Sequence, residues 1–457
     1  MGFSENKDTT TSGDKQQVLF NLSPVKQKEI ELSFTGADIS SDGGLLLLKE
    51  CEQQVGIIKS LRSCLRDERN PSYVRHSFDQ MITQRVFQIA AGYEDADDCD
   101  NLRSDDVFKL CSGKLPSDGN LASQPTMSRF ENTPSHSDLY RIAEAFLENF
   151  MNSYSEEPPV IILDADDTDS TTYGGQQLAL YNDYYGDYCY MPLHIYEGLS
   201  GKLVTTILKP GRRSKNINVY AILSRVIEKI RTKWKQTVII IRGDSHFCSH
   251  QLMDWCADMK NVHFLTGLTT NSKLNKLANV TIESAKKQYE QTKRSIKQYH
   301  SFEYQAGEWK NAQRVVVKVE VNDMGSNVRY IVTDMRQWRT QQLYEKGYCA
   351  RGAMELRIKE HKTYLQSDRM SCSQFGANQF RLFLHSAAYV LMHTLQTEVL
   401  RTTEYANATF KTIREKLIKV AAYVKEIKTK IKIEFPASCP QIGVFSTCLL
   451  LFEALRT

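Results

Sequence analysis

The sequence predicts an α/β fold built on a mixed β-sheet, with a helical segment ahead of it. Two runs of aliphatic and β-branched residues, 160–163 and 237–241, have the composition of buried strands, and an aspartate follows each within three residues. A third observation is a helical segment near 348–362 whose regularly spaced residues are polar and charged rather than apolar. An acid after a single strand is often only a turn or helix cap. Two such strands together with a charged helix indicate a site that binds cations or phosphate.

The N-terminal third is predicted to be mostly helical. With 457 residues, the chain is long enough for two or three domains. Residues 1–31 are expected to form a flexible tail, because their first part is rich in Ser, Thr, Lys and Asp. Residues 32–155 are predicted to form a helical N-terminal domain, in which Pro125 suits the first turn of a short helix. The longer helices are predicted near 42–51, 73–91, 105–110 and 137–150.

The elements around the two aliphatic runs follow a known order. The same patterns predict strands at 189–196 and 202–208 joined by a hairpin at 197–201, a helix at 218–234, a helix at 250–259 and a strand at 262–265. Three antiparallel strands, a helix, a strand, a helix and a strand is the order of the ribonuclease-H-like fold. In that fold, acids from the first strand, the fourth strand and a later helix meet at one edge of the sheet. We therefore expect Asp166, Asp244 and Glu355 to converge, in a core made of residues 156–268 and 341–400.

The charged helix carries Tyr348, Arg351, Glu355 and Lys362. Steps of three, four and seven residues bring side chains to one face of an α-helix. A carboxylate can hold a divalent cation, Arg and Lys can bind phosphate, and Tyr can stack on a base. The alternative is a solvated face, because Arg351, Glu355 and Lys359 also have the spacing of ordinary intrahelical ion pairs.

The first strand offers three acids in the sequence Leu163 to Thr168. Alternation places Asp164 and Asp166 on one face of the strand and Asp167 on the other. We favour Asp166 as the first site carboxylate, with Asp164 as the alternative or an auxiliary ligand. His246 follows Asp244 closely, but one histidine without further nitrogen or sulfur ligands argues against a zinc site.

These residues stand in sequence blocks that resemble the cut-and-paste insertion-sequence transposases with a DDE triad and a Tyr-Arg-Glu-Lys signature. Within them the chain is most similar to the branch named after insertion sequence 1380. Such families commonly have an Asp, a small residue and a Thr at the first acid, and Asp166-Asp167-Thr168 departs only at Asp167. The blocks are residues 121–131, 163–168, 174–177, 242–247, the signature helix and 378–382.

The resemblance implies a reaction, cofactors and partners. Asp166, Asp244 and Glu355 would be catalytic and would hold two Mg²⁺ or Mn²⁺ ions, with Asp164 as a further possible ligand. The reaction would be cleavage of double-stranded DNA at terminal inverted repeats and strand transfer into target DNA, by a homodimer in the DNA complex. Two alternatives are a ribonuclease-H-like nuclease without strand transfer and a transposase-derived DNA-binding protein that is no longer catalytic.

The resemblance also predicts where DNA is bound. The helical N-terminal domain would bind DNA ends, although it contains no clear helix-turn-helix recognition sequence. Residues 401–457 are predicted to be a C-terminal basic region, with many lysines between 410 and 432. The candidate DNA-binding residues are Tyr348, Arg351, Lys362, Arg129, Arg212 and Arg213.

A mostly β insertion subdomain is expected at 269–340, between the second acid and the Glu helix. The segment 284–297 is predicted to be a basic helix. Strands are predicted at 314–321 and 328–333, joined by a hairpin at 322–327.

Composition agrees with an intracellular nucleic-acid enzyme. The formal net charge is only +4, so a DNA surface requires a local concentration of Lys and Arg. Eleven cysteines without a Cys-x-x-Cys pair indicate reduced thiols rather than disulfides or a zinc site. No signal peptide or long apolar run is evident, which argues against a secreted or membrane protein. We expect a cytoplasmic bacterial protein associated with the nucleoid.

Overall fold

A computed structural model describes residues 20–212 and 219–456. Its N-terminal part begins with an exposed hairpin inside the predicted flexible tail and continues as a set of helices, as predicted. Serine caps begin two of the longer helices: Ser77 forms a capping box with Gln80, and Ser135 forms one with Asp138. The elements are β1 (Phe20–Val25), β2 (Lys28–Leu32), β3 (Ile39–Ser40), α1 (Leu45–Val55), α2 (Ile57–Cys64), α3 (Phe78–Ala91), α4 (Asp98–Leu102), α5 (Asp106–Cys111), α6 (Gln124–Glu131) and α7 (His136–Asn152).

The middle of the chain forms the large sheet and a smaller one beside it. The predicted strand at 189–196 is divided into two short strands, and the other predicted strands and helices up to residue 268 are confirmed. The elements are β4 (Val160–Asp167), β5 (Ser170–Thr171), β6 (Leu180–Asn182), β7 (Asp187–Tyr190), β8 (Leu193–Glu197), β9 (Leu203–Ile207), α8 (Val219–Lys233), β10 (Val238–Gly243), α9 (His250–Asp258), β11 (Val262–Leu268), α10 (Ser272–Thr292), β12 (Ile296–Tyr304), β13 (Gln313–Asn322) and β14 (Gly325–Thr333).

Eight of these strands form one mixed sheet in the order β12-β13-β14-β11-β10-β4-β8-β9. β4, β10 and β11 are parallel neighbours, while β8 and β9 continue the sheet antiparallel on one side. On the other side, β14 pairs antiparallel with β11, so the strands of the predicted insertion extend the same sheet. A separate three-stranded sheet, β5-β7-β6, lies beside the end of β4.

The predicted helix at 284–297 is confirmed for its first part only, as the end of a longer helix. α10 begins earlier, at Ser272, because Asn271 caps it by accepting a hydrogen bond from the amide of Leu274. It ends at Thr292, followed by Lys293 in the left-handed conformation with φ 53°, and the chain then turns into β12. Lys297 therefore lies on a strand.

The C-terminal third is mostly helical, with one β-hairpin before the last helix. The lysine-rich segment 410–432 is not one helix, since its helical part ends at Ile418 and two antiparallel strands follow. The α-helices and strands are α11 (Thr340–Gln342), α12 (Gly352–Lys359), α13 (Phe375–Thr394), α14 (Phe410–Ile413), β15 (Ala422–Ile427), β16 (Lys430–Glu434) and α15 (Ile442–Arg456). Wider π-helical turns cover Leu343–Tyr348, Glu360–Tyr364, Leu395–Val399 and Arg414–Ile418.

α13 links the helical part to the sheet. Its side chains are buried on nearly every side, and it packs against α3, α7 and β9. One apolar cluster contains residues of the N-terminal helices, α13 and α15 together. The N-terminal helices thus share a core with the C-terminal third, and the sheet has a second core with α8 and α10. The predicted division into domains stays a prediction.

Candidate active site

Two of the predicted acids meet at one edge of the large sheet. β4 and β10 are parallel neighbours in which Asp164 lies opposite Arg242, so the chain reaches Asp166 and Asp244 at the same ends of adjacent strands. Both side chains line one cavity of about 840 Å³. Arg351, from the helix that follows the insertion, lines the same cavity. Three segments far apart in sequence therefore contribute to one site.

Asp166 is held by an ion pair and by its own backbone. Its Oδ2 lies 2.9 Å from Nη1 of Arg351, and its Oδ1 accepts a hydrogen bond from the amide of Asp167 at 3.0 Å. Burial raises the pKa of the Asp166 carboxyl to about 6; the Arg351 charge opposes this shift and the Asp244 charge adds to it. A neighbouring positive charge thus keeps a half-buried carboxylate available for ionisation near neutral pH.

Asp244 caps the turn that follows β10. Its Oδ1 accepts a hydrogen bond from the amide of His246 at 2.8 Å, and its Oδ2 lies 3.1 Å from Nδ1 of the same residue. The imidazole of His246 is exposed, so it is not a core residue. It contacts Asp244 directly and can orient that carboxylate.

Asp164 has different contacts from Asp166 and is more deeply buried. Arg242 binds both of its oxygens, with Nε 2.5 Å from Oδ1 and Nη2 2.6 Å from Oδ2, and both side chains are almost fully buried. A Cβ at Gly198 would lie 2.6 Å from Oδ2 of Asp164, so the pair is closely covered. Arg242 also donates to the carbonyl oxygen of Gly347, which ties the two strands to the start of the signature helix.

The signature residues do not share the face of a regular α-helix. A π-helical turn (Leu343–Tyr348) and a 3₁₀ turn (Cys349–Arg351) precede α12, and a second π-helical turn (Glu360–Tyr364) follows it. These turns change the rotation per residue on which the prediction depended.

Two basic residues of the signature contact acids at the end of β4. Arg351 pairs with Asp166, and Nζ of Lys362 lies 2.8 Å from Oδ1 of Asp169. Tyr348 is half-buried near Arg351, and burial raises the pKa of its hydroxyl. The hydroxyl is therefore a neutral donor at neutral pH.

Glu355 lies one helical turn after Arg351 and is exposed. It is not among the residues that line the cavity, and it forms no ion pair with another residue that the structure describes. The structure thus brings Asp166, Asp244 and Arg351 together and leaves Glu355 exposed, outside the cavity lining.

Further basic residues surround the cavity, and the sequence argument missed one of them. Nζ of Lys209 lies 2.6 Å from Oδ1 of Asp167, and both residues line the cavity, so Asp167 does not face away from it. Lys209 follows β9 by two residues, and the predicted pairing of the strands would have brought it close to the acids. Arg212 is exposed and lines the same cavity, whereas Arg213 lies outside the described residues.

Arg129 is exposed on α6, where its guanidinium donates to Oγ1 of Thr126. It is not among the residues that line the cavity. Its predicted contact with DNA stays a prediction.

The sequence matches the family described as Transposase DDE domain group 1 over residues 22–457. The chain belongs to this transposase family. No curated protein matches the chain. A cryo-electron microscopy structure of a piggyBac transposase synaptic complex with hairpin DNA is similar over 83% of this chain and 80% of that chain, at 11% identity and a TM-score of 0.44.

The DDE family is named for three acids, and two of those predicted here, Asp166 and Asp244, line one cavity. Asp166 and Asp244 offer carboxylate oxygens from neighbouring strand ends to one cavity, which fits a divalent metal. Among the described residues, no group of three His, Cys, Asp or Glu side chains is placed to hold a metal ion. Two carboxylates, those of Asp166 and Asp244, therefore line the cavity, and the exposed Glu355 is not among its lining residues.

None of the described helices is both long and apolar enough to cross a membrane.

Proposed function

We propose that this chain is an active transposase that cleaves DNA at the ends of an insertion sequence and joins them to target DNA. The observation that carries the proposal is the cavity shared by Asp166, Asp244 and Arg351. Membership of the DDE transposase family supports it. The chain supplies acids to bind cations and basic residues to bind phosphate at a single place.

We infer that β4, β8, β9, β10 and β11 form a ribonuclease-H-like core. The sheet order β9-β8-β4-β10-β11, with the first three strands in sequence antiparallel and the last two parallel to the first, supports this inference. The helices α8 and α9 connect β9 to β10 and β10 to β11, in the order predicted from the sequence.

Asp166 and Asp244 would hold Mg²⁺ or Mn²⁺, two ions in all, and Glu355 would complete the ligand set. When bound, such ions neutralise phosphate charge and lower the pKa of water, so that hydroxide or a DNA 3′-hydroxyl can attack phosphorus in line. Asp166 presents an oxygen to the cavity while its Oδ1 is fixed by the backbone. His246 holds Asp244 in place through two contacts.

The basic residues would position the DNA. Arg351 and Lys362 now contact the acids at the end of β4, and both guanidinium and ammonium groups bind phosphate well. Lys209 and Arg212, from the loop after β9, lie on the cavity wall. Such contacts fix the register of the backbone without reading its sequence.

The finer assignments follow from the same proposal. We propose that the chain belongs to the Tyr-Arg-Glu-Lys group and, within it, to the branch named after insertion sequence 1380; the spacing of the signature residues supports this. Its substrates would be terminal inverted repeats and target DNA, bound by two copies of the chain in the bacterial cytoplasm at the nucleoid. A strand-transfer assay separates this proposal from a nuclease that cleaves without joining.

The test is metal-dependent nicking of DNA that carries the inverted repeats expected to flank the coding sequence. Asp244→Asn keeps the size of the side chain and removes the charge that holds a cation. We expect nicking to fall by roughly 10³-fold, the equivalent of several kcal/mol of transition-state stabilisation, while DNA binding is retained. Asp254→Asn, on α9, is the matched control. Nicking by Asp244→Asn at the wild-type rate would remove Asp244 from the active site.

A further inference from the structure

A hairpin rich in exposed tyrosines borders the proposed active site. It consists of β6, β7 and the turn between them, residues 180–190, and is called the tyrosine hairpin below. Tyr181, Tyr184, Tyr185 and Tyr188 are 47%, 83%, 40% and 56% exposed. Exposed aromatic rings grouped in this way mark interaction sites more often than single ones do.

The tyrosine hairpin has a defined conformation. The Asn182 side chain accepts hydrogen bonds from the amides of Tyr184 and Tyr185 and donates to the carbonyl oxygen of Gly211 at 2.7 Å. A Cβ at Gly211 would lie 2.0 Å from the carbonyl oxygen of Cys189, so only glycine permits this approach. The hairpin tip is thereby attached to the loop that carries Arg212.

The rings at the tip form an open corner beside the acids. The centroids of Tyr184 and Tyr185 are 4.9 Å apart and their planes meet at 87°. Both residues line the cavity that contains Asp166 and Asp244. A flat group that stacks on Tyr184 would therefore lie roughly perpendicular to the ring of Tyr185, in the cavity where the scissile phosphate is proposed to bind.

The charges of the hairpin select against a phosphate as its ligand. Asp183 and Asp187 stand within it, and the Asp169 carboxylate is close enough to Tyr185 to raise the pKa of that hydroxyl. Burial is the larger cause of that shift, which brings the pKa to about 12 and leaves the hydroxyl neutral. A phosphate would be repelled by these acids and attracted to Lys209 and Arg212 on the cavity wall. A neutral base would not be repelled by the acids and could stack on the rings.

We propose that the tyrosine hairpin is a stacking site for an unpaired base of the DNA substrate, next to the phosphate that is cut. Tyr184 supplies the exposed face, and Tyr185 supplies the wall and a hydroxyl donor. The proposal rests on the proposed function only for its placement beside the scissile phosphate.

The test is binding of a fluorescent oligothymidylate and of a blunt duplex of equal length, measured by anisotropy on the full chain in EDTA. Tyr184→Ala removes one stacking ring, so we expect it to bind the single strand about 5- to 150-fold more weakly than the wild type does. Duplex binding should change by less than twofold. Tyr184→Phe should bind the single strand like the wild type, because it keeps the ring.

The matched control is Tyr73→Ala, since Tyr73 is 84% exposed and lies in the N-terminal part, away from the cavity lining. A circular dichroism melt of each variant shows whether it is folded, and Tyr184→Phe provides a second variant with minimal change. Equal binding of the single strand by Tyr184→Ala and Tyr73→Ala would overturn the proposal. An equal loss of single-strand and duplex binding by Tyr184→Ala would also overturn it. If the hairpin serves only as a protein contact, Tyr184→Ala and Tyr73→Ala should bind the single strand equally.

Failure here and failure of the proposed function give different results. Single-strand binding in EDTA requires no metal and no cleavage. If Tyr184→Ala binds the single strand normally and the wild type shows metal-dependent nicking, only the stacking proposal is refuted. Selective loss of single-strand binding with no nicking by the wild type ends only the transposase proposal.

Discussion

Asp164 and Asp166 are two residues apart on one strand, and each pairs with an arginine, but the two pairs differ in what they leave available. The Asp164–Arg242 pair uses both carboxylate oxygens and is 3% and 2% exposed. The Asp166–Arg351 pair has one contact, is 17% and 18% exposed, and faces a cavity. The first pair joins two strands and a helix. The second pair faces the cavity, so we propose that the same residue types serve structure in one place and chemistry in the other.

The largest expected effect is on the cavity-facing pair. Asp166→Asn should reduce metal-dependent nicking by roughly 10³-fold, because a carboxylate that binds the cation is lost. The free energy of unfolding should change by less than about 1 kcal/mol, as for other ion pairs that solvent reaches. Nicking assays and urea unfolding measure the two effects. Nicking at the wild-type rate would place the catalytic acid elsewhere.

The buried pair should respond in the opposite way. Asp164→Asn leaves the Arg242 guanidinium buried without a countercharge, which we expect to cost about 3 kcal/mol of the free energy of unfolding. Urea unfolding beside Asp166→Asn, an identical change two residues away, is the matched comparison. Equal stability of the two variants would contradict the division between a structural and an open pair.

The charge of Arg351 should set the pH at which nicking activity appears on the acidic side of its pH profile, called the acid limb below. Asp166 must be ionised to bind a cation, so nicking should rise with pH through about 6, the pKa of its carboxyl. Removing the positive charge in Arg351→Ala favours the protonated acid, so the limb should move to higher pH by about one pH unit. Arg351→Lys keeps the charge and should keep the limb near its wild-type position, although it loses the planar guanidinium. An unchanged limb in Arg351→Ala would show that Asp166 does not control the profile.

A smaller effect is expected at the second open pair, Lys362–Asp169. Lys362→Ala should weaken binding of all DNA sequences alike and reduce the salt slope by about one, because one phosphate contact is lost. Lys359 is exposed on the same helix and is the control. It pairs with no acid among the described residues, and its Nζ lies 5.6 Å from the centroid of the Tyr364 ring. Fluorescence anisotropy at several salt concentrations compares the two alanine variants. Equal slopes would make the helix a generic basic face.

The sequence was sufficient for elements with strong local signals. The aliphatic runs before Asp164 and Asp244 formed adjacent buried strands, and the hairpins at 197–201 and 322–327 formed as their turn residues predicted. The longer helices of the N-terminal part were also predicted, and serine caps begin two of them in the structure.

Features that depend on tertiary contacts were not predictable in this way. The burial of Asp164 depends on Arg242, which reaches Asp164 only when β4 and β10 pair. The π-helical turns before and after α12 leave no simple pattern in composition, so the shared face of the signature residues was overestimated. The end of the predicted helix at 284–297 was placed too late, since lysines are compatible with both helices and exposed strands.

The central claim is that the cavity-facing acids, and not the buried one, hold the divalent metal. Binding of Mn²⁺ in the presence of transposon-end DNA, followed by electron paramagnetic resonance, tests it most directly. We predict that Asp166→Asn and Asp244→Asn lose Mn²⁺ binding, whereas the wild type and the Asp254→Asn control retain it. Wild-type Mn²⁺ binding by folded Asp166→Asn protein would contradict the account.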